Sequence, residues 1–223
     1  MGPFNFIIEN YERCITLTVE HLILVGLALG IALLIGVPTG ILITRHEAIA
    51  KRIINAANIL MTIPSIALFG FMLPLLSPFG QGMGKVPAVT ALVLYSQLPI
   101  IRNTYTAIKN VPPELIDAGR GMGMSQWRLL KEVEIPLAVP VILAGLRTAA
   151  VMSIGIAAIA AYIGAGGLGV FIQRGIDQAY DEKVIAGAIL VSLLAIVVDA
   201  GTAAFEKLAT PTGIKVQRKT GQQ

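Results

Sequence analysis

The sequence has few of the residues on which soluble folds and chemical sites depend. Charged residues make up only 13% of it and aromatic residues 6%, and it contains one cysteine and two histidines. With Cys14 alone, neither an internal disulfide nor a multi-cysteine metal site can form. His21 and His46 are the only imidazoles, and no His-Glu-x-x-His or Gly-x-Ser-x-Gly motif is present. We therefore expect no catalytic residue and no metal site in this chain.

Apolar residues, by contrast, are abundant. They make up 55% of the chain, against roughly 45–50% in a typical soluble domain, which also has about 25% charged residues. Five apolar runs are long enough to cross a hydrocarbon layer about 30 Å thick. They cover residues 21–43, 55–76, 86–108, 137–163 and 184–208. Because lipid offers backbone amides no partner, the sequence predicts an all-α integral membrane protein of five spanning helices. Prolines should kink these helices, namely Pro38, Pro64, Pro74 and Pro99.

The basic residues outside these runs are unevenly distributed. One side collects Arg45, Lys51, Arg52, Lys109, Arg120, Arg128, Lys131, Lys215, Arg218 and Lys219. The other side has only Arg13, Lys85, Arg174 and Lys183. Basic loops stay in the cytoplasm, so we expect the N-terminus outside and the C-terminus inside. The net charge of +4 then reports orientation and not affinity for nucleic acid. No cleavable signal is apparent, so we expect the first span to direct its own insertion.

The longest predicted cytoplasmic loop, residues 112–136, is rich in charged residues, whereas the rest of the chain is mostly apolar. Pro112 and Pro113 suit the first turn of a helix, because proline has no N–H to leave unpaired there. Glu114 and Asp117 would then lie near the positive end of the helix dipole. The loop therefore predicts a short helix from about residue 114.

Glycines should bend this loop, because each weakens a helix by up to about 1 kcal/mol relative to alanine. They are Gly119, Gly121 and Gly123. Ser125 can cap a second helix that carries Trp127 and ends before Pro136. The loop could be a mere connection with solvated charges. A connection, however, needs only a few residues. We therefore favour a helix–bend–helix that inserts into a groove on a partner protein.

The spacing within the loop is specific. Three residues separate the triplet 117–119 from Gly123, and nine more separate Gly123 from the run 133–136. This arrangement resembles the EAA loop of ABC importer permeases, which reads Glu-Ala-Ala, three residues, Gly, nine residues, Ile-x-Leu-Pro. The matching residues are Asp117, Ala118, Gly119, Gly123, Val133, Ile135 and Pro136. Four of them depart mildly from the pattern: Asp for Glu, Gly for the second Ala, Val for Ile and Ile for Leu. The resemblance implies that the loop, with Glu114 and Trp127, is the coupling helix that docks on a cytoplasmic ATPase subunit.

The resemblance extends from about Thr18 to Lys207. The runs AVPVILAGLRTA and AYIGAGGLGVFIQRGI resemble the branch that imports glycine betaine, carnitine and choline. Permeases of the methionine type share the five-helix layout and remain the alternative. Either branch implies a type I importer transmembrane domain in a bacterial cytoplasmic membrane. It also implies a second permease copy or paralogue, an extracytoplasmic solute-binding protein, and ATP with Mg on the ATPase subunit. Residues 1–17 would be extracytoplasmic, 18–208 the transmembrane domain and 209–223 a cytoplasmic tail.

The run GAGGLG, residues 164–169, superficially resembles a phosphate-binding loop. It lacks the Lys-Ser/Thr that such a loop needs. We expect instead a tight turn re-entering the outer leaflet, with Gly166 and Gly167 in a gate. Candidate pathway residues are Tyr95, Ser96 and Gln97.

Three ionisable residues lie inside the predicted spans, where such residues are costly and rare. We predict that Asp199 pairs with Arg147 or with Arg102, although both arginines could instead extend to the membrane surface. The first span also holds two Gly-x-x-x-Gly pairs, Gly26 with Gly30 and Gly36 with Gly40, which predict close helix packing within the subunit or against a second copy.

Two other function classes stay open. A membrane-embedded enzyme has little support, because no motif or intramembrane carboxylate pair suggests one. A passive channel would have no use for a loop that docks an ATPase.

Overall fold

The computed structural model describes residues 2–209. In that range the chain forms ten α-helices, joined by short turns. They are α1 (Pro3–Glu9), α2 (Tyr11–Ile43), α3 (Glu47–Thr62), α4 (Ser65–Leu76), α5 (Lys85–Lys109), α6 (Pro113–Gly121), α7 (Gln126–Leu129), α8 (Ile135–Ile159), α9 (Gly169–Asp177) and α10 (Asp181–Ala209). Short 3-10 helices cover Ser77–Phe79 and Ala160–Ile163, and a π-helical turn covers Leu130–Glu134. Apart from Ala209, the predicted cytoplasmic tail lies outside the described residues.

The helices long and apolar enough to cross a membrane are α2, the continuous stretch Gln126–Ile163 and α10. The pair α3 and α4, bent by 101°, makes a fourth span if it is counted as one. These assignments rest on residues 2–209, and the total of five spans and the direction of insertion stay predictions.

Helix α5 has nearly the same bounds as the predicted span 86–108. Its composition, however, is too polar for it to be counted as a membrane span by length and hydropathy. The reason is its position. It packs along α2 and α8, and most of its residues are buried against protein. A helix that faces protein needs fewer apolar side chains than one that faces lipid. Polar residues such as Ser96 and Gln97 are therefore tolerated in it.

Two predicted spans have different bounds in the structure. The first begins at Tyr11, ten residues before the predicted start, because the helix continues through polar residues that precede the apolar run. The second is split: α3 ends at Thr62, and Ile63 and Pro64 take extended conformations before α4 starts at Ser65. The kink predicted at Pro64 is thus a complete break, whereas Pro38, Pro74 and Pro99 lie inside helices.

Close packing between α2 and α5 depends on glycine. A β-carbon on Gly36 would lie 2.7 Å from Cγ2 of Ile100, and one on Gly40 would lie 2.6 Å from Cβ of Thr104. Close packing is confirmed for this pair. Gly26 and Gly30 have no atom within 4 Å of such a carbon in the described structure, so the first pair makes no close contact within the subunit.

Candidate functional site

Residues 112–136, the segment predicted to couple to an ATPase and called the coupling segment below, begin as predicted. Pro112 is the N-cap residue of α6 and Pro113 its first residue, with Glu114 in the first turn. The helix passes through Gly119 and ends at Gly121, so these two glycines do not bend it as predicted.

The bend lies after α6, at Gly123. Its φ of +77° is left-handed, a conformation that glycine adopts without strain. The Gly123 amide donates to the Arg120 carbonyl at 2.9 Å, and the Met124 amide donates to the Gly119 carbonyl at 3.1 Å. This pair of bonds is a Schellman motif, which satisfies the last carbonyls of a helix. The bend is therefore built into the backbone.

The second helix starts where predicted and ends elsewhere. The Ser125 hydroxyl accepts from the Arg128 amide at 3.3 Å, which confirms the cap. The helix does not stop before Pro136. It continues through the π-helical turn Leu130–Glu134 into α8, with Val133, Ile135 and Pro136 partly exposed along it. The wider π turn accommodates a proline that can neither donate to the preceding turn nor fit its ring against it.

Large apolar side chains stand exposed on the coupling segment. Leu115 is 44% exposed, and Met122 and Trp127 are each 71% exposed. Asp117 and Ala118 are exposed beside them, whereas Gly119 is buried. Three large exposed apolar side chains within one short segment suit contact with a partner protein. The segment therefore presents apolar side chains that can contact a partner protein.

Gly119 sets how closely the two short helices approach. A β-carbon at this position would lie 2.5 Å from Cδ1 of Leu129 and 3.3 Å from Sδ of Met124. Leu129 is itself buried. The Gly119 that replaces the second Ala of the family pattern thus lets α6 and α7 pack against each other.

Glu134 was not predicted as a functional residue, although it stands inside the matched motif. Its side chain is 6% exposed, and a carboxylate oxygen lies 3.8 Å from the guanidinium of Arg45, which is 44% exposed. Arg45 follows the end of α2. The ion pair therefore attaches the end of the coupling segment to the turn between α2 and α3.

The glycine-rich turn before α9 holds the two residues predicted as a gate. Gly166 and Gly167 have φ values of +85° and +78°. The Gly167 amide donates to Oε2 of Glu20 at 3.1 Å, and the Leu168 amide donates to Nδ1 of His21 at 3.2 Å. Two consecutive residues of α2 thus hold this turn. No sequence pattern signals either contact, because the partners are 147 residues apart.

His21 also contacts α8. Its ring is completely buried, and Nε2 lies 3.1 Å from the Ile154 carbonyl. Since Nδ1 accepts from an amide, Nε2 must carry the proton that meets the carbonyl, so the ring is neutral with hydrogen on Nε2. A β-carbon on Gly169 would overlap the Ala158 carbonyl, so the start of α9 is fixed against α8 as well.

The three predicted pathway residues are buried among helices. The Tyr95 hydroxyl donates to the Ile63 carbonyl at the break between α3 and α4. The Ser96 hydroxyl lies 3.1 Å from that of Ser153, and the Gln97 amide donates to the Val93 carbonyl at 3.2 Å. Gln97 Oε1 is buried without a partner among the described residues. Their pathway role stays a prediction.

The structure pairs Asp199 with Arg147. Nε of Arg147 lies 2.5 Å from Oδ1, and Nη2 lies 2.7 Å from Oδ2. Two parallel bonds of this kind are the strongest geometry for a guanidinium and a carboxylate. The pair joins α8 to α10. Arg102, the other predicted partner, lies in a separate cavity and does not contact Asp199.

Known proteins resemble this chain in both sequence and fold. A family model described as "binding-protein-dependent transport system inner membrane component" matches residues 32–210. An osmoprotectant import permease protein of Salmonella typhimurium is 52% identical over 96% of this chain and 100% of its own length. A glycine betaine/carnitine/choline transport system permease protein of Bacillus subtilis is 42% identical over 95% of both chains.

A solved structure of a methionine ABC transporter in an inward-facing conformation is 25% identical. It has a TM-score of 0.76 and covers 90% of this chain and 99% of its own. The chain therefore belongs to the family of inner-membrane components of binding-protein-dependent transport systems, and it is a multi-pass permease subunit of a bacterial ABC importer.

Proposed function

We propose that this permease imports quaternary-ammonium osmoprotectants, the class that includes glycine betaine, carnitine and choline. We infer the solute class from the 52% identity to an osmoprotectant import permease over that protein's whole length. Relatives described as carnitine and choline permeases, at 41% and 42% identity, support the same class. The methionine transporter resembles the chain in fold, but its sequence is only 25% identical. The methionine-type alternative therefore has less support than the osmoprotectant class.

The coupling segment serves as the dock for a cytoplasmic ATPase subunit. Its exposed Leu115, Met122 and Trp127 would enter a groove on that subunit. ATP and Mg bind there, so this chain has no cofactor and no catalytic residue of its own. The fixed bend at Gly123 supports this role. A segment with a rigid conformation can transmit a movement of the ATPase subunit to the membrane helices, whereas a flexible loop cannot.

Transport needs two discrete arrangements of the helices, each favoured by different partners. ATP binding closes the ATPase subunits and moves the coupling segments of two permease copies, or of this chain and a paralogue. The path then opens outward to receive solute from a binding protein, and hydrolysis resets it. Residues 18–208 form the moving domain, residues 1–17 face outward, and the tail from 209 faces the cytoplasm.

The turn at Gly166 and Gly167 closes the outer end of the path in this proposal. Its contacts with Glu20 and His21 place it against α2, while α9 rests on α8. Outward opening would then separate these contacts, which gives the outer gate a defined closed state.

Reconstituted transport tests the proposal. Proteoliposomes containing the permease, its partner permease, ATPase and binding protein should accumulate radiolabelled glycine betaine only with internal ATP. Accumulated solute should be recovered unchanged. A matched preparation with a hydrolysis-deficient ATPase should not accumulate it.

Three outcomes would contradict the proposal. Equilibration of glycine betaine without ATP indicates a channel. Chemical conversion of the solute indicates an enzyme. ATP-driven uptake of methionine, with none of glycine betaine, carnitine or choline, supports the methionine-type alternative.

A further inference from the structure

The long helices differ in what they leave exposed. Large apolar side chains are exposed along the middle of α2 and of α10, for example Leu34 at 78% and Ile196 at 65%. On α5 and α8 the large apolar side chains that are exposed in the described structure are Val86 and Val141, each within the first seven residues of its helix. Lipid tails favour large apolar side chains on the helices that they contact. The exposed surfaces of α2 and α10 therefore suit lipid, and those of α5 and α8 do not.

The residues that α5 and α8 expose are mostly polar or small. Between residues 87 and 108 of α5 they are Arg102 and Thr106, which lie about one turn apart. On α8 they are Val141, Thr148 and Gly155, whose spacing of seven residues puts them on one side of the helix. We call the surface that these five residues form the α5–α8 face.

A cavity of about 560 Å³ connects the two halves of this face. Arg102 and Thr106 line it from α5, and Thr148 lines it from α8. Within residues 2–209 the Arg102 guanidinium has no hydrogen bond or ion pair, and no carboxylate lines this cavity. An unpaired guanidinium in a membrane helix is not stable against hydrocarbon. The α5–α8 face therefore meets water or protein.

Protein contact alone does not satisfy Arg102. Oligomers of one chain are usually symmetric, so the same surface patch faces itself across a two-fold axis. A second copy packed tightly on the α5–α8 face would bring another Arg102 to it, and the cavity supplies no carboxylate to either copy. Buried charges without partners are strongly destabilising. Water between the two copies removes this cost, because it solvates both guanidiniums.

We propose that the α5–α8 face lines the water-filled solute path and that a second permease subunit forms the opposite wall. Helices α5 and α8 are also the ones that enter and leave the coupling segment. A displacement of that segment therefore acts directly on this wall of the path, while α2 and α10 form the side that faces lipid. This inference rests on the proposed function, because it locates on this chain the path that the importer requires.

Two cysteine variants, each in a Cys14→Ala background, test the inference. Thr148→Cys places the thiol on the α5–α8 face, and Ile196→Cys places it on the exposed apolar side of α10. The two positions are matched in depth. Arg147, next to Thr148, pairs with Asp199, and Ile196 lies within one turn of Asp199, about 4.5 Å along the axis. The two thiols therefore differ in what they face and little in depth.

The complete transporter, in membrane fragments open on both sides, is treated with a charged methanethiosulfonate. The reagent reacts with the thiolate, which forms in water and is suppressed in an apolar environment. We expect Thr148→Cys to react at least about tenfold faster than Ile196→Cys. Gly155→Cys is a second variant on the same face, since a β-carbon there meets no atom within 4 Å, and it should react like Thr148→Cys.

Two labelling results would overturn the inference. Equal rates at Thr148→Cys and Ile196→Cys would show that the two faces do not differ in access to water. Unreactive thiols at both Thr148→Cys and Gly155→Cys would show that the α5–α8 face is a dry contact between subunits.

Transport distinguishes a solute path from a water-filled crevice that solute never enters. A bulky charged adduct on Thr148→Cys should lower the initial rate of radiolabelled glycine betaine uptake at least about tenfold, because it narrows the path. The small neutral adduct from methyl methanethiosulfonate should leave most of that rate, and the charged reagent should not change uptake by Ile196→Cys. Undiminished uptake by fully labelled Thr148→Cys would overturn the path assignment. A wild-type transporter that takes up no glycine betaine would instead contradict the proposed solute, and the labelling contrast would still test the path.

Discussion

The amide of Leu168 donates to Nδ1 of His21 at 3.2 Å, and Nε2 of the same ring donates to the Ile154 carbonyl at 3.1 Å. One buried imidazole in a single neutral tautomer therefore links α2, α8 and the turn that begins α9. Neither nitrogen is free to bind a proton or a ligand without breaking one of these bonds. His21 is thus a structural residue of the glycine-rich turn before α9.

Replacing His21 with leucine should destabilise the permease. The change leaves the Leu168 amide without its partner, and an unsatisfied buried donor costs about 1–3 kcal/mol. Thermal unfolding of the purified transporter should show a lower midpoint for His21→Leu. His46→Leu is the control, because His46 is exposed and its side chain does not cap α3. Equal midpoints for the two variants would contradict the role assigned to His21.

Two glycine-to-alanine changes should have opposite outcomes. Gly169→Ala puts a methyl group into the Ala158 carbonyl, so the start of α9 cannot pack against α8. Gly155→Ala meets nothing within 4 Å and adds helix propensity of up to about 1 kcal/mol inside α8. The yield of monodisperse protein in size-exclusion chromatography should fall sharply for the first change only. Normal yield and stability for Gly169→Ala would show that the contact is looser than the structure indicates.

The ion pair between Arg45 and Glu134 predicts an asymmetry between its two neutralising variants. Arg45→Gln leaves a carboxylate that is 6% exposed without its cation, whereas Glu134→Gln leaves an arginine that is 44% exposed and reaches water. Removing one partner of a buried charge costs more than removing the buried charge itself. Arg45→Gln should therefore lower the unfolding midpoint more, by an amount worth about 1–3 kcal/mol. The reverse order would show that Glu134 does not depend on Arg45.

Trp127 should matter for assembly and not for folding, because its side chain is 71% exposed. Large aromatic side chains at interface centres often contribute about 2 kcal/mol to binding. Trp127→Ala should therefore reduce the amount of ATPase subunit that co-purifies while leaving the unfolding midpoint of the permease unchanged. The neighbouring exposed Gln126→Ala is the control. Full retention of the ATPase by Trp127→Ala would exclude this face as the dock.

Much of the fold could be predicted from local pattern. The apolar runs located the long helices, and proline and serine in the coupling segment set the starts of α6 and α7, because capping depends on nearby residues. The start of α2 was missed because a helix can continue through polar residues beyond its apolar run. The π turn was missed because a helix was expected to end before Pro136, whereas the wider turn accommodates the proline and the helix continues.

The sites were predictable where chemistry restricts the partners. Asp199 had few possible cations at its depth, and one of the two that were named, Arg147, is its partner. The contacts of Glu20 and His21 were not predictable, because their partners are backbone amides 147 residues away that no side-chain pattern reveals. The sequence could not show that Arg102 would lie in a cavity of its own, because that cavity depends on how α3, α5 and α8 pack.

Solute-stimulated ATPase activity measures the coupling role of residues 112–136 directly. Wild type, Gly123→Trp and Gly123→Asn are compared in proteoliposomes with the ATPase and with binding protein loaded with glycine betaine. Asparagine tolerates the left-handed conformation at φ +77°, whereas tryptophan adds strain and bulk where the structure is open. We expect stimulation to be lost in Gly123→Trp and largely kept in Gly123→Asn, with both variants correctly inserted. Undiminished stimulation of Gly123→Trp would contradict the assignment of this segment as the coupling helix.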